Sequence, residues 1–204
     1  MVRRTKEEAA LTRQAVLKAA LRVFSTKGYA ATTLEDVAAR AGVTRGAVYW
    51  HFEGKAELYN ALLSDVGSRS AAVTQAAIAG GGTLLDVLER VFVDLLAAVE
   101  TDRELRAVME LASFKTEITP ELKPGHQERT RAGQALLAGI ADALGGGIRS
   151  GEIREDLDPA ELARVFLGLQ NGLLQLWLTN PRAFSLTQSA RTAASVYLSG
   201  IRRT

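Results

Sequence analysis

The sequence predicts an all-α fold of about nine helices, and three observations carry that prediction. Apolar residues recur at helical spacing along nearly the whole chain, in segments rich in Ala and Leu. No stretch alternates β-branched and polar residues as a half-buried strand would. Glycine clusters, prolines and capping residues punctuate the pattern at helix-length intervals.

The first helix is predicted from about Lys6 to Thr26, with Val16, Ala20, Val23 and Phe24 buried and Gly28 at its end. Arg3, Arg4 and Lys6 form a basic arm before it, which reads equally as a phosphate-seeking arm or a solvated terminus. Thr33 is a good N-cap for a second helix, and Asp36 favours the positive end of that helix. Leu34, Val37, Ala38 and Ala41 give it one apolar face, and Gly42 ends it. Val43 is the buried turn residue, Thr44 caps a third helix, and Val48 and Phe52 are the apolar side of that helix. After Glu53-Gly54 a fourth helix begins at Lys55 and runs to about Ile78. A lysine opposes the dipole there, which makes sense if a phosphate sits at that end.

Gly80-Gly81-Gly82 breaks the fourth helix, and Thr83 caps a fifth that runs to about Glu100. A sixth is predicted over about Arg103 to Lys115, carrying Leu105, Val108, Met109 and Ala112. Pro120 and Pro124 bracket the approach to a long seventh, which Gly145-Gly146-Gly147 is expected to end or unwind near Leu144. Asp158-Pro159 starts the eighth, stopped by Asn180-Pro181, and Ser185 or Thr187 opens the ninth, to about Ile201. The eighth helix has two apolar sides. Leu162, Phe166, Leu169, Leu173, Leu176 and Trp177 form one stripe, and Leu167, Gln170, Asn171 and Leu174 another. Two such faces need two partners. One reading is a helix buried within the monomer, the other a homodimer face on one side and a cavity on the other. Gly168 and Gly172 permit close helix approach.

The segment Thr33–Lys55 has the spacing of a helix–turn–helix: two short helices, a small residue at their closest approach and a glycine turn. The outward side of its second helix carries Thr44, Arg45, Gly46, Tyr49, Trp50 and His51. Hydroxyls, a guanidinium, bare backbone and aromatic edges are groups that meet phosphates and base edges in a major groove. Charge agrees with this. Residues 1–60 hold ten Lys/Arg against six Asp/Glu, a balance of +4, while the rest of the chain stands at −2.

The 204 residues, 47% hydrophobic, suffice for one or two packed cores. With no cysteine, disulfides, thiolate nucleophiles and Cys-based metal sites are excluded. His51 and His126 are the two histidines and show no triad or metal spacing, so neither an enzyme, a metal nor a cofactor is expected. No apolar run approaches the roughly 20 residues of a membrane span. The N-terminus lacks the apolar core of a signal peptide, so a cytoplasmic location is expected.

The basic opening, TRQAVLKAALRVFSTKGYAATTLEDVAARAGVTRGAVYWHF and the KAEL that follows resemble the DNA-binding domain of the TetR family of transcriptional repressors. Within it they resemble the subgroup that controls multidrug efflux pumps (AcrR- and TtgR-like). Weaker similarity returns in Phe114-Lys115-Thr116-Glu117, Gly172-Leu173-Leu174 and WLTNPRAFSL. The resemblance implies a DNA-binding domain over 1–54, a ligand-binding and dimerisation domain over 55–204, and a homodimer on a pseudo-palindromic operator. It implies DNA contacts from Thr44, Arg45, Gly46, Tyr49, His51 and Lys55, with Thr33 near the backbone. The dimer would be a four-helix bundle of the last two helices, which adds Val196 and Tyr197 to the stripe above. A pocket would be lined by Val66, Leu88, Val91, Phe92, Leu95, Met109, Ser113, Leu136, Ile140, Leu167, Gln170 and Asn171.

Similar pump regulators often carry an acidic residue where Asn171 stands and a His or Asn where Met109 and Ser113 stand. The present lining suits a neutral aromatic or lipophilic effector better than a cation. Regulation of a catabolic or biosynthetic operon, and ligand-independent DNA binding, are the alternatives.

Overall fold

The computed structural model describes residues 6–203, and these are helical almost throughout. Nine α-helices are found among them: α1 Lys6–Ala31, α2 Leu34–Ala41, α3 Arg45–His51, α4 Lys55–Ala79, α5 Leu84–Thr101, α6 Arg103–Phe114, α7 Lys123–Arg149, α8 Pro159–Thr179 and α9 Leu186–Ile201. A single 3-10 turn, Pro120–Leu122, precedes α7. The all-α expectation and the order of the helices are met. One antiparallel bridge, Ile153 to Arg202, is the extended pairing present among the described residues.

Packing divides the chain into two units. The first runs to Ser68 and takes in Ala107–His126; the second comprises Arg69–Arg106 and the chain from Gln127 onward. The first unit thus recruits residues 55–68 and 107–126 to the three N-terminal helices, beyond the 1–54 span of the sequence reading. Its core joins the expected Val16, Ala20, Val23, Phe24, Val48 and Phe52 to Leu58, Tyr59 and Leu62 of α4 and to Val108, Leu111 and Leu122. Phe24, Tyr29 and Tyr59 form its aromatic centre, with ring centroids 5.3–6.3 Å apart.

Caps set the helix boundaries. Thr33 and Asp36 form a reciprocal capping box at α2, each side chain accepting the other's backbone N–H. Gly42 closes α2 in the left-handed region (φ 68°, ψ 30°), with its N–H turned back to the carbonyls of Ala38 and Ala39. Thr44 accepts the Ala47 N–H at 3.2 Å and opens α3. Thr83 and Asp86 repeat the capping box at α5, while Asp158 and Ser185 cap α8 and α9. Two long-range carboxylates reinforce the second unit. Glu152 accepts the N–H groups of Leu84 and Leu85 at 3.1 and 2.7 Å, and Glu100 accepts those of Leu186 and Thr187, both at 2.9 Å.

Two boundaries differ from expectation. The first helix resumes past Gly28, which alone breaks it (φ 76°, ψ 168°), and ends at Ala31. α7 passes through Gly145-Gly146-Gly147 and continues to Arg149. The triplet is a close-approach site rather than a breaker, since a Cβ on Gly147 would lie 2.7 Å from Leu84 Cδ2 and 2.8 Å from Ile153 Cδ1. The contact needs hydrogen there, and the helix bears the propensity cost.

Candidate nucleic-acid interface

α2, its glycine turn and α3 bury Leu34, Val37, Ala38 and Val48 and leave the opposite side of α3 to solvent. Trp50 is 73% exposed, and Tyr49 and Arg45 stand out beside it. The indole adds exposed apolar surface to a short, otherwise polar helix face. The Trp50 and His51 rings meet edge to face at 4.5 Å, which fixes both on the rim. A Cβ at Gly46 would meet nothing nearer than Thr44 Oγ1 at 3.9 Å. Nothing internal therefore requires glycine there, and its absent side chain leaves the backbone open to a partner. The Thr33 and Thr44 hydroxyls accept the capping N–H groups of Asp36 and Ala47.

Arg45 is a cation of this face with contacts to both α2 and α3. Its Nη1 lies 2.6 Å from Glu35 Oε1 of α2, its Nη2 donates to the Tyr49 hydroxyl at 3.1 Å, and its guanidinium sits 5.2 Å from the Tyr49 ring centroid. The Tyr49 bond first, and then the charge of Glu35, hold its pKa above the ordinary arginine value. Lys27 neutralises Asp36 at 2.6 Å, next to the Thr33 cap.

Lys55 is placed otherwise than its dipole mismatch suggested. Its ammonium donates to the carbonyls of Tyr29 and Ala30 at 3.0 and 3.1 Å and lies 4.5 Å over the Tyr29 ring. The cation closes the C-terminal end of α1, where the dipole welcomes it. A phosphate is not needed to explain it. Tyr29 is also gripped from the other side of the unit: its hydroxyl donates to Glu121 Oε1 at 2.8 Å and its N–H to the Lys115 carbonyl at 3.3 Å. Burial first, and then the bond to Glu121, push its pKa well above the ordinary tyrosine value. Lys115 in turn donates to the Ser25 carbonyl at 2.6 Å. Glu35, Tyr29 and Glu121 were not singled out from sequence, and Lys115 entered only through a family-like motif and a helix boundary. Their partners stand 10 to 92 positions away, and no local pattern announces them.

Arg3 and Arg4 lie outside the described residues. Of the expected pocket lining, Val66, Met109 and Ser113 belong to the first unit, where all three are half-buried. The other nine belong to the second. There α5 and α8 pack together: Leu88 and Phe92 are buried, Phe92 meets Phe166 edge to face at 5.2 Å, and Gln170 Nε2 donates to the Phe92 carbonyl at 3.4 Å. Val91, Leu95, Ile140 and Leu167 are half-buried, whereas Leu136 and Asn171 are exposed.

The expected interface stripe needs correction. Leu162, Phe166, Trp177 and Tyr197 are buried within the second unit itself. Phe166 packs on Tyr197, the Tyr197 hydroxyl donates to the Leu162 carbonyl at 2.9 Å, and Trp177 Nε1 donates to the Phe184 carbonyl at 3.2 Å beneath the Arg106 guanidinium. Burial pushes the Tyr197 pKa up to about 12. Leu173 is half-buried. The outward apolar line of α8 keeps Leu169 and Leu176 of the expected stripe and adds Val165 and Gly172, at helical spacing, with Leu176 64% exposed; the expected Val196 of α9 is 69% exposed. A Cβ on Gly168 or Gly172 would meet nothing within 4 Å.

Among the described residues no helix is long and apolar enough to cross a membrane, and no three His, Cys, Asp or Glu gather as metal ligands.

Comparison with known proteins bears on both units. Residues 16–62 match the family of bacterial regulatory proteins named for tetR, and residues 84–202 match the C-terminal region of MAATS-type transcriptional repressors. The chain is 37% identical over 191 residues to the HTH-type transcriptional regulator TtgR of Pseudomonas putida, covering 91% of this chain and 89% of that protein. Among solved structures it is similar to NalD, the secondary repressor of the MexAB-OprM multidrug efflux pump in Pseudomonas aeruginosa. The TM-score is 0.85 at 28% identity, over 97% of this chain and 99% of that one. It is also similar to SmeT in its triclosan complex, with a TM-score of 0.78 at 29% identity over 95% and 92% of the two chains.

Proposed function

This chain belongs to the tetR family of bacterial regulatory proteins, and from that premise we propose that it is a ligand-responsive repressor of a multidrug efflux pump. Residues 1–54 carry DNA binding, and residues 55–204 carry effector binding and dimerisation. The observation that carries the reading is the capped α2–turn–α3 pair with an unburied Arg45, Tyr49 and Trp50, in a chain similar over nearly its full length to pump repressors. Thr33, Thr44, Gly46 and His51 complete the DNA face. The protein works in the cytoplasm, as a homodimer.

The dimer forms through the outward line of α8, Val165, Leu169 and Leu176, with Val196 of α9. Gly168 and Gly172 let the backbones of the two copies come close. A dimer sets two α3 helices into successive major grooves, about one helical turn or a multiple apart, on a pseudo-palindromic operator. The effector is a neutral aromatic or lipophilic molecule. Support comes from the apolar lining residues of α5, α7 and α8, which offer a few amide groups and no acid. The SmeT–triclosan complex shows that a similar protein takes such a compound. Effector binding lowers operator affinity by no more than the effector's own preference for the released state.

The test selects duplexes from a random-sequence pool with the purified protein. It then measures binding to the enriched duplex with triclosan, and a panel of neutral aromatics, at saturation. Two related half-sites should be enriched, and at least one compound should both raise Tm and release the DNA. No enrichment of any sequence would overturn the regulator. Enrichment with no response to any compound would leave a ligand-independent DNA-binding protein. Leu176→Glu should shift the mass in solution from dimer to monomer, and an unchanged dimer would remove α8 from the interface.

A further inference from the structure

We propose that Glu35, on α2, is a specificity-determining positioning residue that aims the Arg45 guanidinium at one base pair of the operator. The inference rests on the DNA-binding reading above and concerns a residue to which that reading gives no role.

Arg45 is held on two sides before any DNA arrives. Glu35 Oε1 takes Nη1 at 2.6 Å, and the Tyr49 hydroxyl accepts from Nη2 at 3.1 Å. The Tyr49 ring lies beneath the guanidinium, with its centroid 5.2 Å away. Arg45 and Tyr49 are four apart on α3, so they share one helix face. Glu35 reaches that face from the first turn of α2. A carboxylate, a hydroxyl and a ring together define both the position and the plane of the fork. The Arg45 and Glu35 side chains are 60% and 55% exposed, where a lone ion pair contributes little to stability. What the pair supplies is order in a long side chain that would otherwise lose its rotamer freedom only on binding.

Guanidinium carries five N–H donors, and Glu35 and Tyr49 engage one each. The remaining three suffice for a bidentate contact to a base edge such as guanine O6 and N7. Glu35 has a second effect. A carboxylate on a DNA-facing surface repels phosphates, so it weakens binding wherever Arg45 finds no matching base. Removal of its charge therefore acts in opposite directions on matched and unmatched DNA. A merely structural acid would not do this.

The experiment compares wild type, Glu35→Gln, Arg45→Ala and the double variant on three probes. These are the duplex that wild type enriches from a random pool, its single-base-pair variants, and a scrambled duplex of equal length and composition. Glu35→Gln should bind the scrambled duplex more tightly, and its ratio of specific to scrambled affinity should fall by about fivefold or more. The lost discrimination should be confined to one base-pair position per half-site. In the Arg45→Ala background the same substitution should leave the ratio unchanged. A Glu35→Gln protein that shifts all probes by one common factor, or acts equally without Arg45, overturns the positioning role while DNA binding stands. A wild type that enriches no duplex overturns the function itself, and this inference with it.

Discussion

Lys55→Met tests directly whether the lysine that opens α4 serves the fold or the DNA. Methionine keeps an unbranched apolar stem and deletes the ammonium. The structure gives that ammonium two carbonyl partners, Tyr29 and Ala30, at 3.0 and 3.1 Å, and a ring at 4.5 Å. A charged donor contributes about 1.5–3 kcal/mol per bond when enclosed; the half-exposed setting brings this to about 1 or less for each. The cation–π contact adds about 0.5 kcal/mol. The loss is then about 2 kcal/mol. For a chain of this size that lowers Tm by about 4–8 °C. Thermal melting followed by circular dichroism, with no DNA present, reads it directly. If Lys55 is instead a phosphate anchor, as its place at a helix N-terminus first suggested, Tm should stay within about 1 °C of wild type. The slope of log affinity against log salt should then fall by about 0.9. An unchanged melt would refute the helix-closing role.

Three further substitutions probe the second unit. Gly147→Ala places a Cβ at 2.7 Å from Leu84 and 2.8 Å from Ile153, and should cost about 1–3 kcal/mol in urea unfolding. Gly139→Ala, on the same helix with nothing within 4 Å, should gain up to about 1 kcal/mol. A common sign for the two would show that helix propensity rather than contact governs α7. Burial pushes the Glu100 pKa up, but donors from Thr187, Leu186 and Ser185 outweigh it and hold the carboxyl below its ordinary 4.5. A depressed folded pKa means that the stabilisation is whole above 4.5 and is lost as pH falls towards the folded value. Glu100→Gln should therefore melt lower than wild type near neutral pH, and its Tm should fall less steeply than that of wild type through the acid range below about 4.5. Parallel melting curves across that range would remove Glu100 from the acid response.

What could be read ahead of the structure, and what could not, divides by the distance at which each residue finds its partner. Thr33, Gly42, Thr44, Thr83, Asp158 and Ser185 act on backbone groups within one helical turn, so type and spacing reveal them. The exposed residues of α3 were legible for a related reason. Arg45, Tyr49 and Trp50 are too large and too polar for the inner side of a short helix whose apolar positions are already filled by Val48 and Phe52. Their exposure follows from exclusion.

Lys55, Gly147 and Phe166 each admitted two local meanings, and the choice lay in residues far along the chain. A lysine at a helix start can meet a phosphate or the end of another helix, and the partner for the second role, Tyr29, stands 26 positions away. A glycine triplet can break a helix or admit a neighbour, and Leu84 decides it from the first turn of α5. The stripe on α8 was drawn partly across two faces, because a helix apolar on both sides carries no internal mark of which side meets its own core. Phe92 and Tyr197 supply that mark by claiming Phe166. Once they have done so, Val165, Leu169 and Leu176 are left on the exposed side of α8. The apolar line that the monomer leaves uncovered, rather than the most hydrophobic one, is therefore the side of α8 proposed above to receive a second copy.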